Sequence, residues 1–218
     1  MGKIFDPDNS FWSVVRKILY MIVLSIAWCL CSIPLLTIGT SSSALYYAVV
    51  KVVRRERSYP LREFFKAFKQ NLKRGTILTI IIVIVGSMSF AADIMLGATF
   101  FRLETIADYI LCALFILKVF ILLGVFCYVF PLLSRFDTTI LTLLESALFL
   151  CSRYLLRTIC IDILFVVMVL VVKIEGIFII IIPALYCLLC SFLLETLFVS
   201  CYDQQEVNES VDTWFVGK

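Results

Sequence analysis

The chain has 218 residues and a formal net charge of +3; 62% of its residues are apolar, 16% are charged, and its mean hydropathy is +1.06. Soluble domains are about 45–50% apolar and about 25% charged, and a soluble globule of this size has too little interior for so much apolar surface. These figures exclude a soluble enzyme, a disordered chain and a disulfide-rich secreted module, and they favour an integral membrane protein.

The residue types that support catalysis are largely missing. The chain contains no histidine, which excludes Ser-His-Asp and Cys-His catalysis and histidine-ligated metals. Most of its cysteines lie in apolar runs, where they act as small buried hydrophobic residues, and the pair Cys187 and Cys190 has no second pair to complete a metal site. We therefore predict a non-enzymatic protein with no catalytic residue, no metal site and no cofactor.

The first predicted element is a helical hairpin. Residues 18–50 carry no charge, and this run is too long for one crossing, which needs about 20 residues. Pro34, Gly39 and the polar residues after them are turn signals. We predict a first span over 18–36, a turn at Pro34 and Gly39, and a shorter second span over 42–53. A re-entrant or interfacial second helix is the alternative.

A basic cytoplasmic loop is predicted over 54–75 because lysine and arginine collect there. A helix over 60–74 within this loop would be amphipathic. Its apolar stripe and its basic residues include Phe64, Phe65, Phe68, Lys66, Lys69 and Lys73. Such a helix is expected to lie in the membrane interface and to bind anionic lipid. The alternative is that it docks a cytoplasmic partner.

The third and fourth spans are predicted over 76–96 and 109–133, and each contains an ionisable residue. Asp93 and Lys118 fall at a similar height, roughly 22–26 Å above the cytoplasmic ends of their helices at about 1.5 Å per residue. The face of Asp93 also carries small residues that let helices approach closely: Gly75, Gly86 and Gly97. Because intramembrane charges are functional candidates, we predict that Asp93 and Lys118 pair between the third and fourth spans in the outer half of the bilayer. A transport role and a snorkelling lysine are the alternatives.

The last third of the chain predicts one more surface helix and two more spans. Polar and apolar residues separate onto opposite faces over 138–157, which indicates the surface helix. The fifth and sixth spans, over 158–174 and 176–197, form a tight antiparallel pair, and Pro183 is expected to kink the second of them. Residues 1–202 thus form one transmembrane domain, and residues 203–218 form an acidic cytoplasmic tail.

The distribution of lysine and arginine sets the orientation. Six spans place more of these residues on the cytoplasmic side than five spans do. We therefore predict an all-α polytopic helical bundle with six transmembrane helices, both termini in the cytoplasm and amphipathic cytoplasmic helices. Five spans, with the N-terminus outside, is the alternative.

Three segments of the chain resemble a known family: residues 31–47 (CSIPLLTIGTSSSALYY), 64–73 (FFKAFKQNLK) and 130–136 (FPLLSRF). The first is similar to the SLPxxTxG…ALYY stretch of the YesL-like family of bacterial integral membrane proteins, a domain of unknown function. The resemblance extends over most of residues 5–205. It implies a multi-pass protein of the bacterial cytoplasmic membrane, whose relatives' genes often accompany carbohydrate importers of the ATP-binding cassette type.

The resemblance implies an accessory or regulatory component of carbohydrate uptake, and it carries over no catalytic or ligand residue. The alternatives are a small-solute transporter in its own right and a membrane scaffold or assembly factor that docks a cytoplasmic partner. The expected partners are the lipid bilayer, anionic lipid at the cytoplasmic face and subunits of an ATP-binding cassette importer; no nucleic acid is expected.

Overall fold

The computed structural model describes residues 10–55, 59–96 and 106–202, and all regular structure in these ranges is helical. The seven α-helices are α1 (Ser10–Cys31), α2 (Ile38–Ala48), α3 (Pro60–Leu96), α4 (Ile106–Arg135), α5 (Ile140–Arg153), α6 (Leu155–Ile174) and α7 (Ile182–Tyr202). A 3-10 turn, Leu35–Thr37, precedes α2, and a π-helical turn, Val49–Arg54, extends it. The predicted all-α helical bundle is confirmed.

Five helices are long and apolar enough to cross a membrane: Trp12–Cys31, Leu35–Arg54, Pro60–Ile94, Asp108–Arg135 and Leu155–Ile174. A shorter apolar stretch, Ile182–Phe198, lies in α7. Their outer faces carry exposed apolar side chains such as Val83, Met88 and Phe90, as a lipid-facing surface requires. These features suggest a membrane protein. The predicted number of six spans would be reached only if α7 also crosses the membrane.

Helix α2 and its π-helical extension form the centre of the bundle. In the segment Leu35–Arg54, 67% of the most apolar stretch is buried, against 22% or less in the other four candidate spans. Small residues on α2 allow this, because a Cβ added at Gly39 would overlap the ring of Phe130 and the hydroxyl of Thr79. A Cβ added at Gly75 of α3 would lie 2.9 Å from the Cα of Thr40. The backbones of α2 and α3 therefore approach closely, and the Phe130 ring of α4 packs directly on Gly39.

Pro34 lies between α1 and α2, whereas the turn predicted at Gly39 is wrong. Helix α1 ends at Cys31 and Pro34 precedes the 3-10 turn, but Gly39 is buried inside α2. The polar run after Gly39 continues the helix, and its hydroxyl groups bond to backbone carbonyls within that helix and on α3. Ser41 Oγ donates to the Thr37 carbonyl at 2.9 Å, and Thr40 Oγ1 donates to the Leu72 carbonyl at 3.4 Å.

The separate surface helix predicted over 60–74 is wrong, because these residues are the first part of α3. This helix is continuous over 37 residues, which is about 55 Å at 1.5 Å per residue. Gly75 does not break it, since this glycine is held in the helix against Thr40. Because a crossing needs about 20 residues, α3 is several turns longer than one membrane span.

The C-terminal half differs from prediction at its helix ends. Thr139 caps α5, accepting a hydrogen bond from the Thr142 N–H at 3.4 Å, and α5 ends before Tyr154 because the backbone there leaves the helical region (φ −116°, ψ 53°). The last helix begins at Ile182, so Pro183 lies in its first turn, where proline is tolerated, and produces no kink. The predicted acidic tail, residues 203–218, and Gly97 lie outside the described residues.

Candidate functional site

A buried carboxylate, Glu195, joins three parts of the bundle. Its side chain is 7% exposed and pairs with Arg135 of α4, whose side chain is 2% exposed. The Tyr46 hydroxyl of α2 donates to Glu195 Oε1 at 3.2 Å, and Arg55 Nη2 lies 3.8 Å from Glu195 Oε2. We call Tyr46, Arg55, Arg135 and Glu195 the Glu195 network. Removing one partner from such a buried pair leaves the other charge without compensation, which costs about 3–5 kcal/mol.

The other basic residues at the end of α2 also have interhelical partners. Lys51 Nζ donates to Glu63 Oε2 of α3 at 2.9 Å and to the Tyr47 hydroxyl at 3.1 Å. Arg54 Nη1 donates to the Ser191 carbonyl of α7 at 2.8 Å, and its guanidinium lies 4.8 Å from the centre of the Phe192 ring. These contacts hold α2 against α3 and α7 at the same end of the bundle as the Glu195 network.

A second buried carboxyl group, Asp162, lies on α6 and is 5% exposed. Neither of its oxygens has a hydrogen-bond partner within the described part of the chain, although the Cys127 thiol interacts with it electrostatically. A Cβ added at Gly124 would lie 2.7 Å from Cys151 Sγ and 2.9 Å from Thr158 Cγ2, so this glycine lets α4 pack closely against α5 and α6 beside the carboxyl group. Burying a charge without a partner is costly, which distinguishes Asp162 from the paired carboxylate of Glu195.

An apolar cavity of about 300 Å³ lies among α1, α2, α4, α6 and α7. Its wall includes six aromatic side chains: Trp28, Tyr46, Phe126, Phe130, Phe165 and Tyr186. Hydrogen-bonding groups in this wall already have protein partners. Trp28 Nε1 donates to Ser42 Oγ at 3.2 Å, and the Tyr186 hydroxyl donates to Cys127 Sγ at 3.4 Å. Tyr46 belongs both to the cavity wall and to the Glu195 network, so the cavity and the buried charges share one side chain.

The structure brings Asp93 and Lys118 together. Lys118 Nζ forms an ion pair with Asp93 Oδ1 between α3 and α4, and the ammonium group also lies 5.3 Å from the centre of the Phe115 ring. The side chains are 38% (Lys118) and 22% (Asp93) exposed. The pair is part-buried between α3 and α4, and neighbouring residues of both helices, such as Phe90 and Leu117, are exposed.

The aromatic stripe of the first turns of α3 is divided between core and surface. Phe64 is fully buried, stacks on Phe68 with a ring separation of 6.2 Å and meets Phe65 edge-on at 5.5 Å. Phe65 is 44% exposed. The expectation that all three rings face the membrane surface is wrong for Phe64, because α3 packs against α2 along this stretch. The basic side chains remain exposed: Arg62, Lys66, Lys69 and Lys73.

Sequence reasoning missed the Glu195 network and the cavity. Glu195 reads as a residue of the cytoplasmic rim, and Arg135 as one of many positive charges that orient the chain. The position of Glu195 in an apolar final span could have indicated the network, since a carboxylate there requires a cationic partner. The sequence does not identify that partner among the many basic residues, and Tyr46 reads as one more aromatic residue of a span.

Residues 21–92 match a family model described as "Protein of unknown function, DUF624". The match covers the second half of α1, all of α2 and most of α3, and thus includes Tyr46, Lys51 and Glu63. It confirms the predicted resemblance to an uncharacterised domain family; the YesL-like assignment itself stays a prediction. No curated protein and no solved structure matches the chain.

Proposed function

We propose that this chain is a non-enzymatic accessory or regulatory component of the bacterial cytoplasmic membrane, associated with carbohydrate uptake through an importer of the ATP-binding cassette type. The link to carbohydrate uptake comes from the resemblance to the YesL-like family. The chain's own interior supports an accessory role over independent transport of a sugar.

The observation that carries this proposal is the chemistry of the interior. A path for a carbohydrate needs hydrogen-bonding groups that are available to the solute. The aromatic cavity among α1, α2, α4, α6 and α7 has an apolar wall, and the Tyr46 hydroxyl in that wall donates to Glu195. Glu195 is in turn engaged by Arg135. These contacts hold the helices together and leave the cavity poorly suited to a sugar.

The proposed topology has six crossings, both termini in the cytoplasm and the Glu195 network near the cytoplasmic face. Basic residues collect at this end of the bundle, as the positive-inside rule requires: Lys51, Arg54, Arg55, Arg135 and Arg157. Helix α7 has 21 residues and a length of about 32 Å, which is enough for a crossing despite its short apolar stretch.

The basic end of α3 is the proposed contact with a partner. Because α3 is longer than one span, its first turns extend beyond the membrane and present exposed lysines, among them Lys69 and Lys73. Anionic lipid headgroups at the cytoplasmic face are attracted to the same side chains. A scaffold or assembly role would use this same surface.

Affinity purification of the full chain from bacterial membranes in mild detergent tests this proposal. We expect importer subunits to co-purify with the wild-type chain and to be lost when Lys69 and Lys73 are both changed to Glu. The control variant changes Lys173 and Glu175 to Ser. Both residues are exposed at the C-terminal end of α6, away from the basic end of α3. The proposal would be contradicted if no importer subunit co-purifies with the wild-type chain.

A small-solute transporter is the second candidate, and Asp162 is the observation that favours it. A buried carboxyl group without a hydrogen-bond partner among the described residues is the kind of side chain that binds protons or cations in membrane transporters. Under this candidate, Asp162→Asn abolishes flux while the fold is retained.

A further inference from the structure

We propose that the aromatic cavity among α1, α2, α4, α6 and α7 is a lipid site that holds one acyl chain of a bilayer phospholipid. The cavity has a volume of about 300 Å³, about twice that of an engineered apolar cavity that binds benzene. An apolar space of this size excludes water when it offers no polar partners. A hydrocarbon chain is the ligand that matches both its size and its wall.

The position of the cavity identifies the bilayer as the source of this ligand. Its lining residues all belong to the five candidate spans or to the apolar stretch of α7. The cavity also reaches the outer surface of the bundle, because Val169 of α6 lines it and is 39% exposed. A chain from a neighbouring lipid can therefore enter beside Val169 without crossing water.

The hydrogen bonds in the wall exclude a polar occupant. The Trp28 indole donates to Ser42, Tyr46 donates to Glu195, and Tyr186 donates to Cys127. A sugar or another polar solute would have to break these bonds to satisfy its own groups, whereas an acyl chain requires none of them. Occupancy by a lipid chain would also stabilise the wall that Tyr46 shares with the Glu195 network.

Fluorescence of Trp28 tests the proposal directly, because this side chain lines the cavity. The chain has three tryptophans, so Trp12→Phe with Trp214→Phe leaves Trp28 as the reporter. The protein is reconstituted in phosphatidylcholine vesicles whose acyl chains carry bromine, a contact quencher of indole emission. We expect strong quenching, much of which is lost when Val169→Phe narrows the entrance.

The matched control is Val167→Phe, because Val167 lies on the same helix, is 48% exposed and does not line the cavity. This control should keep the quenching of the parent protein. Equal quenching in the Val169 and Val167 variants would mean that only surface lipid reaches Trp28 and would overturn the proposal.

Native mass spectrometry of the purified wild-type chain gives a second measurement that needs no variant. We expect a retained mass equal to one phospholipid. Retention of an isoprenoid lipid instead, or release of the protein with no lipid at all, would overturn the assignment of a phospholipid acyl chain.

Discussion

Tyr46 and Glu195 are 149 positions apart in the chain, and a buried hydrogen bond of 3.2 Å joins them. Tyr46 lies on the central helix α2 and Glu195 on the last helix α7, where Arg135 of α4 also binds the carboxylate. One carboxylate thus fixes how three helices meet. Because the ion pair is almost fully buried, its integrity should control the stability of the whole bundle.

The first prediction concerns this ion pair. Glu195→Met and Arg135→Met each leave a buried charge without its main partner and should each destabilise the fold by about 3–5 kcal/mol. The double variant replaces both charges by apolar side chains and should recover much of the loss. Thermal unfolding in detergent measures all three variants.

Glu175→Met is the matched control for the ion pair, because Glu175 is exposed and should tolerate the change. If the effects of Glu195→Met and Arg135→Met simply add in the double variant, the two side chains do not interact and the Glu195 network is wrong.

The second prediction concerns the close approach of α2 to its neighbours. Gly39→Ala places a Cβ against the Phe130 ring and the Thr79 hydroxyl, and overpacking of this kind costs about 1–3 kcal/mol. Gly176→Ala is the control, since nothing lies within 4 Å of a Cβ added there. A lower unfolding temperature is expected for Gly39→Ala alone; equal stability of the two variants would show that α2 is not packed as described.

The third prediction concerns Asp93 and Lys118. Because both side chains are only part-buried, the two single variants should have different consequences. A lysine without its partner can extend its long side chain towards the membrane interface, whereas the shorter aspartate cannot. Lys118→Met should therefore lower thermal stability more than Asp93→Asn does.

The double variant of this pair should be more stable than Lys118→Met alone. The comparison is made by thermal unfolding in lipid nanodiscs, where the outer face of the bundle contacts lipid. Equal losses for the two single variants would contradict the explanation based on the length of the lysine side chain.

The fourth prediction concerns the continuity of α3. Spin labels at Lys66 and Ser87, both exposed, should lie about 32 Å apart, since 21 residues of straight helix rise about 1.5 Å each. A surface helix that turned at a right angle at Gly75 would shorten this distance to roughly 22 Å by the same helix rise. Pulsed electron spin resonance distinguishes the two, and the shorter distance would restore the interfacial helix predicted from the sequence.

The sequence predicts the elements of this fold better than their contacts. Hydrophobic run lengths locate most of the helices, because a crossing requires about 20 apolar residues. The sequence predicts a turn at Gly39, since glycine after proline usually signals one. In the structure Gly39 lies inside α2, where the missing side chain lets the Phe130 ring contact the helix. The run lengths also divide α3 at Arg74. The change from charged to apolar residues there predicts the membrane boundary, but the helix continues through it without a break.

The candidate site is harder to predict, because it depends on pairs from distant parts of the chain. Asp93 and Lys118 could be matched by height, since each is the one ionisable residue within an apolar run. Glu195 could not be matched in this way, because many basic residues lie near the same end of the bundle. The choice of Arg135 and Tyr46 depends on helix rotation and packing, which hydropathy does not specify.

The chain alone should not carry a solute across the membrane, because the polar groups that line its aromatic cavity bind one another. Solute uptake by the purified chain in liposomes tests this most directly, with radiolabelled sugars and with a membrane potential applied. We expect uptake equal to that of empty liposomes. Saturable uptake that Asp162→Asn abolishes, in a variant with unchanged thermal stability, would contradict it and would identify the chain as a transporter.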